Sequence, residues 1–109
     1  MSPHRRAWIY ILASRKNGTL YIGVTGDIRT RVWQHKMGTI EGFTKQHKVA
    51  TLVYLEKFHT IRAAIDREKS LKGWNRARKV RLVEAANLDW DDLAANWFEG
   101  GLDPSLRSG

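Results

Sequence analysis

The chain contains no cysteine among its 109 residues. That absence removes disulfide staples, thiol nucleophiles and thiolate metal sites together, and leaves the core to hold the fold unaided. No apolar run approaches the length of a membrane span. The basic start, Met1 to Arg6, is followed by an apolar stretch too short for a signal peptide, and that stretch reads as a strand. There is no internal repeat and no low-complexity tract. Nor is there a phosphate-binding loop with Lys and Ser/Thr, a GxGxxG fingerprint, an HExxH pair or a plausible Ser/His/Asp set. Acid is scarce over residues 1–81, where 18 Lys/Arg face only 5 Asp/Glu; residues 82–109 reverse this with 1 against 6.

What remains is ample for one small domain. Apolar residues make up 42% of the chain, enough for a single modest core and against wholesale disorder. We take residues 1–99 as that domain and residues 100–109, rich in Gly and Ser, as a frayed tail. The formal net charge is +8. A body so basic attracts polyanions, nucleic acid first, although charge alone says nothing of cleavage. The composition suits the cytoplasm and no membrane partner. Asn17-Gly18-Thr19 matches a glycosylation tripeptide, but the Asn-Gly pair reads better as a turn.

The elements follow in order. Residues 7–12 and 20–24 are β-prone runs on either side of Asn17-Gly18, and a two-residue turn there predicts a tight hairpin with Lys16 opposite Thr19 and Ser14 opposite Tyr21. Tyr10 and Tyr21 then share a face but stand four positions apart, a gap that a longer loop or a bulge would close. Asp27 caps a helix running to about Lys36 and ending near Gly38. Residues 37–50 read as a loop, and 51–58 as the third strand. Thr60 caps a helix that Gly73 ends, with Ile61, Ala64, Ile65, Glu68, Leu71 and Lys72 as its inward stripe. Asn75 caps a third helix, with Val80, Val83 and Ala86 inward and Asn87 closing it. Asp89 caps a short final helix to about Phe98.

Two stripes carry residues that packing does not ask for. On the first helix Ile28, Arg31, Val32 and His35 recur at i, i+3, i+4 and i+7, so a guanidinium and an imidazole occupy core positions. On the second, Glu68 does the same. Buried charge is costly unless paired or ligated. Each residue taken singly has a bland explanation: an Arg31–Glu68 ion pair, snorkelling of Arg31, a hydrogen-bonded edge histidine, strand tyrosines chosen for packing. All of them together, aimed at one interior, point to hydrolysis. His4, His47 and His59 have no ligand spacing and read as surface.

These residues resemble the GIY-YIG nuclease superfamily, in particular its small stand-alone bacterial members. The naming motifs stand here as Trp8-Ile9-Tyr10 and Tyr21-Ile22-Gly23, the second running on as YIGVTGDIRTRVWQHK. GFTKQHKVATLVYLE resembles the third-strand region, and AIDREKSLKGWNRARKVRLVEAANLDWDDL the helical end. The likeness spans about residues 7–95. One departure is Trp8, which stands where the family motif has glycine.

The resemblance implies an α/β fold of the α+β type, with a three-stranded antiparallel sheet flanked by helices. It also implies a divalent-metal-dependent DNA endonuclease that hydrolyses one phosphodiester per site. Its catalytic residues would be Tyr10, Tyr21, Arg31, His35, Glu68 and Asn87, with Glu68 holding Mg²⁺, or Mn²⁺ in its place. Which tyrosine acts as base stays open, as does the role of Asn87, which is equally a helix C-cap. Lys45, Lys48, Lys72, Arg76, Arg78 and Lys79 are candidates for tracking a nucleic-acid backbone, and Trp74 for stacking on a base or packing on the core. Single-stranded, branched and damaged duplex DNA are all open as substrates, with a monomer as the simpler oligomeric expectation. The alternatives are a non-catalytic nucleic-acid-binding module that keeps the fold, and a protein-interaction domain that docks through its acidic C-terminal end.

Overall fold

The structure, a computed structural model, describes residues 6–39 and 42–98. The tail expected from residue 100, and His4, lie outside them. The elements are β1 (Ala7–Ala13), β2 (Leu20–Thr25), α1 (Ile28–Met37), α2 (Phe43–His47), β3 (Thr51–Phe58), α3 (Ile61–Lys72) and α4 (Arg76–Ala86). The strands form one antiparallel sheet in the order β2-β1-β3. The α+β architecture expected from the sequence is present.

Alternation along the central strand sets the two faces. Ala7, Ile9, Ile11 and Ala13 face Ala64 and Leu71 of α3, Val83 of α4 and Trp90. Tyr10 and Leu12 face Ile28 and Val32 of α1, with Val49, Leu52 and Ala94. Among the described residues nine large aliphatic side chains are fully buried: Ile9, Ile11, Leu12, Val32, Val49, Leu52, Val53, Leu71 and Val83. At about 1.5–3 kcal/mol each, they supply the driving force that a chain without disulfides needs.

The hairpin differs from the tight turn expected. Ala13 pairs with Leu20 and Leu12 with Tyr21, so residues 14–19 form the loop and the register moves by two. Only Asn17 takes the left-handed region, at φ 60°, in a turn closed by Gly18 N–H to the Arg15 carbonyl at 2.8 Å. Gly18 is needed for space: a Cβ there would lie 2.3 Å from Ser14 Oγ, the atom that accepts Thr19 N–H at 3.0 Å. The new register halves the offset between Tyr10 and Tyr21 from four positions to two.

The caps stand as read. Asp27 Oδ1 accepts Thr30 N–H at 3.2 Å, Thr60 Oγ1 accepts Ala63 N–H at 3.1 Å, and Asn75 Oδ1 accepts Arg78 N–H at 2.8 Å. Gly38 closes α1 in the left-handed conformation. Four expectations need correction. The stretch between α1 and β3 is not all loop but contains α2. On α3, Ile61 and Lys72 are exposed, and the core contacts come from Ala64 and Leu71. On α4, Ala86 is exposed. Among the described residues no helix follows Asp89; instead Trp90 sits at φ 59° and turns the chain, and residues 93–98 make successive turns. Asp92, not Asp89, organises them, accepting Ala94 N–H at 3.0 Å and Leu52 N–H at 3.2 Å through Oδ1.

That C-terminal stretch covers an edge. A register shift between Ile11 and Leu12 leaves Val53 of β3 unpaired with β1. The Asn87 amide donates to the Val53 carbonyl at 3.1 Å, and Leu93 N–H donates to the Leu52 carbonyl at 2.8 Å. Edge strands with open backbone groups invite aggregation; these bonds close the open side of β3.

Candidate active site

Tyr10 pairs across the sheet with Gly23. A Cβ on Gly23 would lie 2.5 Å from both Cζ and Oη of Tyr10, so the phenol lies across the glycine. The YIG motif therefore has a steric reason: its glycine gives the first motif's tyrosine a flat path over β2. Two positions along β2, Tyr21 is on the same face, with ring centroids 6.3 Å apart. His35 of α1 completes a triangle, its ring 5.6 Å from each tyrosine. Trp8, the departure from the family motif, lies in regular strand opposite Thr25 and Lys57, so the backbone path to Tyr10 is undisturbed.

A hydrogen-bonded chain runs through the cluster. Tyr10 Oη lies 3.1 Å from His35 Nε2, and His35 Nδ1 lies 3.0 Å from Thr44 Oγ1. A neutral imidazole has one N–H and one lone pair, so it donates to one hydroxyl and accepts from the other. Burial, reinforced by the Arg31 charge, pulls His35 down to about 4, which makes it neutral at pH 7. Thr44 is 5% exposed and lies on α2. Neither the threonine nor its helix was visible as a site element in the sequence, where Thr44 stands between Phe43 and Lys45 with no motif around it.

Arg31 and Glu68 come to this cluster from different sides. Arg31 projects from α1, on the tyrosine face, while α3 packs mainly on β2 and β1 from the other face. The single shared interior expected from the two stripes is thus two faces meeting at β2, an edge strand. Glu68 and Lys72 are joined at 3.0 Å, and Lys72 and Tyr21 line the same cleft of about 280 Å³ with Leu20, Ile22 and Lys79. The coupling shows at Tyr10, whose pKa is pushed far above the ordinary phenol value. Burial is the main cause, followed by the neighbouring Tyr21; Arg31 opposes the shift and Glu68 adds to it. Among the described residues Glu68 pairs with Lys72, not with Arg31, so the simple Arg31–Glu68 ion pair is absent.

Residues 6–81 match the family model described as the GIY-YIG catalytic domain. The chain belongs to the GIY-YIG family. A UPF0213 protein of Staphylococcus saprophyticus is 37% identical over 76 residues, covering 70% of this chain and 92% of the relative. One from Natronomonas pharaonis is also 37% identical over 76 residues, covering 70% and 88%. The solution NMR structure of a UPF0213 protein from Bacillus halodurans superposes with a TM-score of 0.52 at 25% identity, covering 84% of this chain and 97% of that one. GIY-YIG membership makes this a nuclease-type catalytic domain with nucleic acid as the substrate class. No helix among the described residues is long and apolar enough to cross a membrane.

The remaining candidates divide. The Asn87 side chain is spent on the fold: its amide donates to the carbonyls of Val53 and Asp91, and its oxygen accepts Asp91 N–H at 3.0 Å. Arg76 clamps the hairpin loop through the Asn17 and Gly18 carbonyls, both at 2.8 Å. Arg78 lies 3.7 Å from the Trp74 ring centre, with Arg67 over the same ring at 5.4 Å, and Trp74 packs on the core. Lys72 and Lys79 line the Tyr21 cleft. Lys45 and Lys48 are exposed at the end of α2, and His47 and His59 are exposed as expected.

Proposed function

We propose that the protein is a divalent-metal-dependent endonuclease that hydrolyses a DNA phosphodiester, one nick per site. The observation that carries this reading is the triangle of Tyr10, Tyr21 and His35, held by Thr44, beside a cleft whose Lys72 pairs with Glu68. Packing alone has no use for a phenol pair, a guanidinium and a carboxylate drawn to one strand edge.

The donor set fits a magnesium site of the sparse kind. Glu68 offers one hard carboxylate beside a solvent cleft, and Mg²⁺ binds through one or two carboxylates while keeping waters and taking substrate phosphate. Lys72, which holds one Glu68 oxygen, is 55% exposed; a pair of that kind is weak and exchanges readily. No cluster of three potential ligands exists among the described residues, so a closed all-protein site is not what these residues build. When bound, Mg²⁺ or Mn²⁺ would relieve charge on the phosphoryl oxygens and acidify water.

The chain's own residues divide the remaining work. Arg31 forks onto the scissile phosphate and stabilises the charge that develops on it. The base is Tyr21 rather than Tyr10. An ordinary phenol is ionised about one part in a thousand at pH 7, a deficit of about 4 kcal/mol that a neighbouring cation reduces. Tyr10 is 2% exposed and its burial opposes ionisation, so it serves as a fixed hydroxyl that orients Tyr21 and the water. Tyr21 is only half-buried and borders the cleft. His35, buried and neutral, positions Tyr10 and does not reach phosphate. Asn87 pins the end of α4 to β3 and takes no chemical part. The protein would act in the cytoplasm, as a monomer.

A panel of labelled single-stranded, duplex and branched DNAs, incubated with Mg²⁺ or Mn²⁺, tests this reading. Cleavage that stops with chelator and with Tyr21→Phe supports it. Salt-sensitive binding without cleavage of any substrate would replace it with a binding module.

A further inference from the structure

Two basins adjoin where β2 meets the hairpin loop. The first is the Tyr21 cleft, lined by Leu20, Tyr21, Ile22, Lys72 and Lys79. The second, of about 290 Å³, is lined by Arg15, Asn17, Gly18, Thr19 and Arg76. One ends at Leu20 where the other begins at Thr19. Arg76 and Lys79 stand three residues apart on α4 and so share a helix face. The first turn of α4 carries no acid, so its partial positive charge goes uncancelled there. The Arg76 fork spends one nitrogen on two loop carbonyls, leaving other N–H donors open. Four cations thus mark a line from Glu68 to the hairpin tip: Lys72, Lys79, Arg76 and Arg15.

The first basin is not purely cationic. Leu20, Ile22 and Tyr21 make its wall, and at about 280 Å³ it falls at the small end of ligand pockets. That suits one flat unpaired base and not a stacked base pair. Apolar or aromatic wall beside a row of cations is how proteins hold single strands: bases rest on side chains and phosphates follow the charges.

We propose that this edge of β2 is a binding track for a single-stranded nucleic-acid arm leading away from the scissile bond, with phosphates on Lys72, Lys79, Arg76 and Arg15 and a base against Leu20, Tyr21 and Ile22. The track rests on the reading of Tyr21 and Glu68 as the hydrolytic site. It narrows the substrate class to DNA with an unpaired extension beside the cut.

The test measures binding without cleavage. The full chain carrying Glu68→Ala, in the absence of divalent metal, is titrated with a fluorescein-labelled oligothymidylate and with a duplex of equal length over a range of salt. Arg15→Ala and Lys79→Ala are added singly to that background, with Arg81→Ala as an exposed α4 control of equal charge. Each lost phosphate contact should flatten the slope of log affinity against log salt by about 0.7 for a single strand. The expected result is flattening for Arg15 and Lys79, none for Arg81, and tighter binding of the single strand than of the duplex. Equal slopes in all the variants, or tighter duplex binding, would overturn the track. If the track variants flatten the slope but the wild-type chain cleaves nothing, the track stands and the nuclease reading falls. If the chain cleaves and the slopes do not move, the reverse holds.

Discussion

His35 makes a prediction with a calculable size. Its imidazole is 6% exposed, wedged between Tyr10 and Thr44, and its pKa in the folded chain is about 4 against about 6.5 when unfolded. Between those values the unfolded chain binds the proton more readily, so stability rises with pH through that window. The contribution is complete above about pH 6.5, shrinks as pH falls, and is fully lost below about pH 4. At 1.36 kcal/mol per unit the whole gap amounts to about 3 kcal/mol, of which about 2 kcal/mol is already lost at pH 5. A domain with a typical stability of about 5–15 kcal/mol would show this plainly. Urea unfolding of the wild-type chain and of His35→Gln at pH 8, 6.5 and 5 isolates it. The glutamine keeps a donor and an acceptor for Tyr10 and Thr44 but does not titrate, and carboxylates elsewhere cancel in the difference. The wild-type chain should lose about 2 kcal/mol more than the variant between pH 8 and pH 5. Parallel losses would mean that the imidazole is not held neutral, and the Tyr10–His35–Thr44 chain would have to be redrawn.

Other expectations follow from single contacts. Gly23→Ala places a methyl group on the Tyr10 ring, which His35 backs, and should cost about 1–3 kcal/mol as overpacking together with most of the activity; unchanged unfolding midpoint and cleavage would show that the ring does not lie over the glycine. Thr44→Val leaves His35 Nδ1 without its partner and should cost about 1–3 kcal/mol in urea unfolding; a neutral result would remove Thr44 from the site. Asn87→Ala should cost a similar amount, because the Val53 carbonyl and the turn at Asp91 lose their bonds, and undiminished stability would refute the fold role given to it.

Much of this was legible in the chain. The three strands, three capped helices and the face shared by Tyr10 and Tyr21 follow from periodicity and cap residues, because local chemistry decides them. What was not legible depends on tertiary contacts. The Asn17-Gly18 pair suggests a two-residue turn, but Gly18 is needed against Ser14, and strand packing selects the longer loop. Thr44 becomes a site residue only because α2 folds against His35, an association no spacing encodes. Glu68 on an apolar stripe suggests a common interior with Arg31, whereas the sheet separates their helices and Glu68 pairs with Lys72 instead. Asn87 reads equally as catalyst or clamp until the unpaired Val53 carbonyl is seen.

Convergence of Tyr21 and Glu68 on one reaction is tested most directly by a double-mutant cycle under single-turnover conditions with Mg²⁺. Tyr21→Phe, Glu68→Ala and the double variant are compared for cleavage of the best DNA substrate, with urea midpoints confirming that each is folded. Groups acting in the same step are strongly non-additive, so the double variant should cleave no more slowly than the slower single one, each single loss being about 100-fold or more. Losses that multiply in full, or single variants that cleave like the wild-type chain, would contradict a shared site.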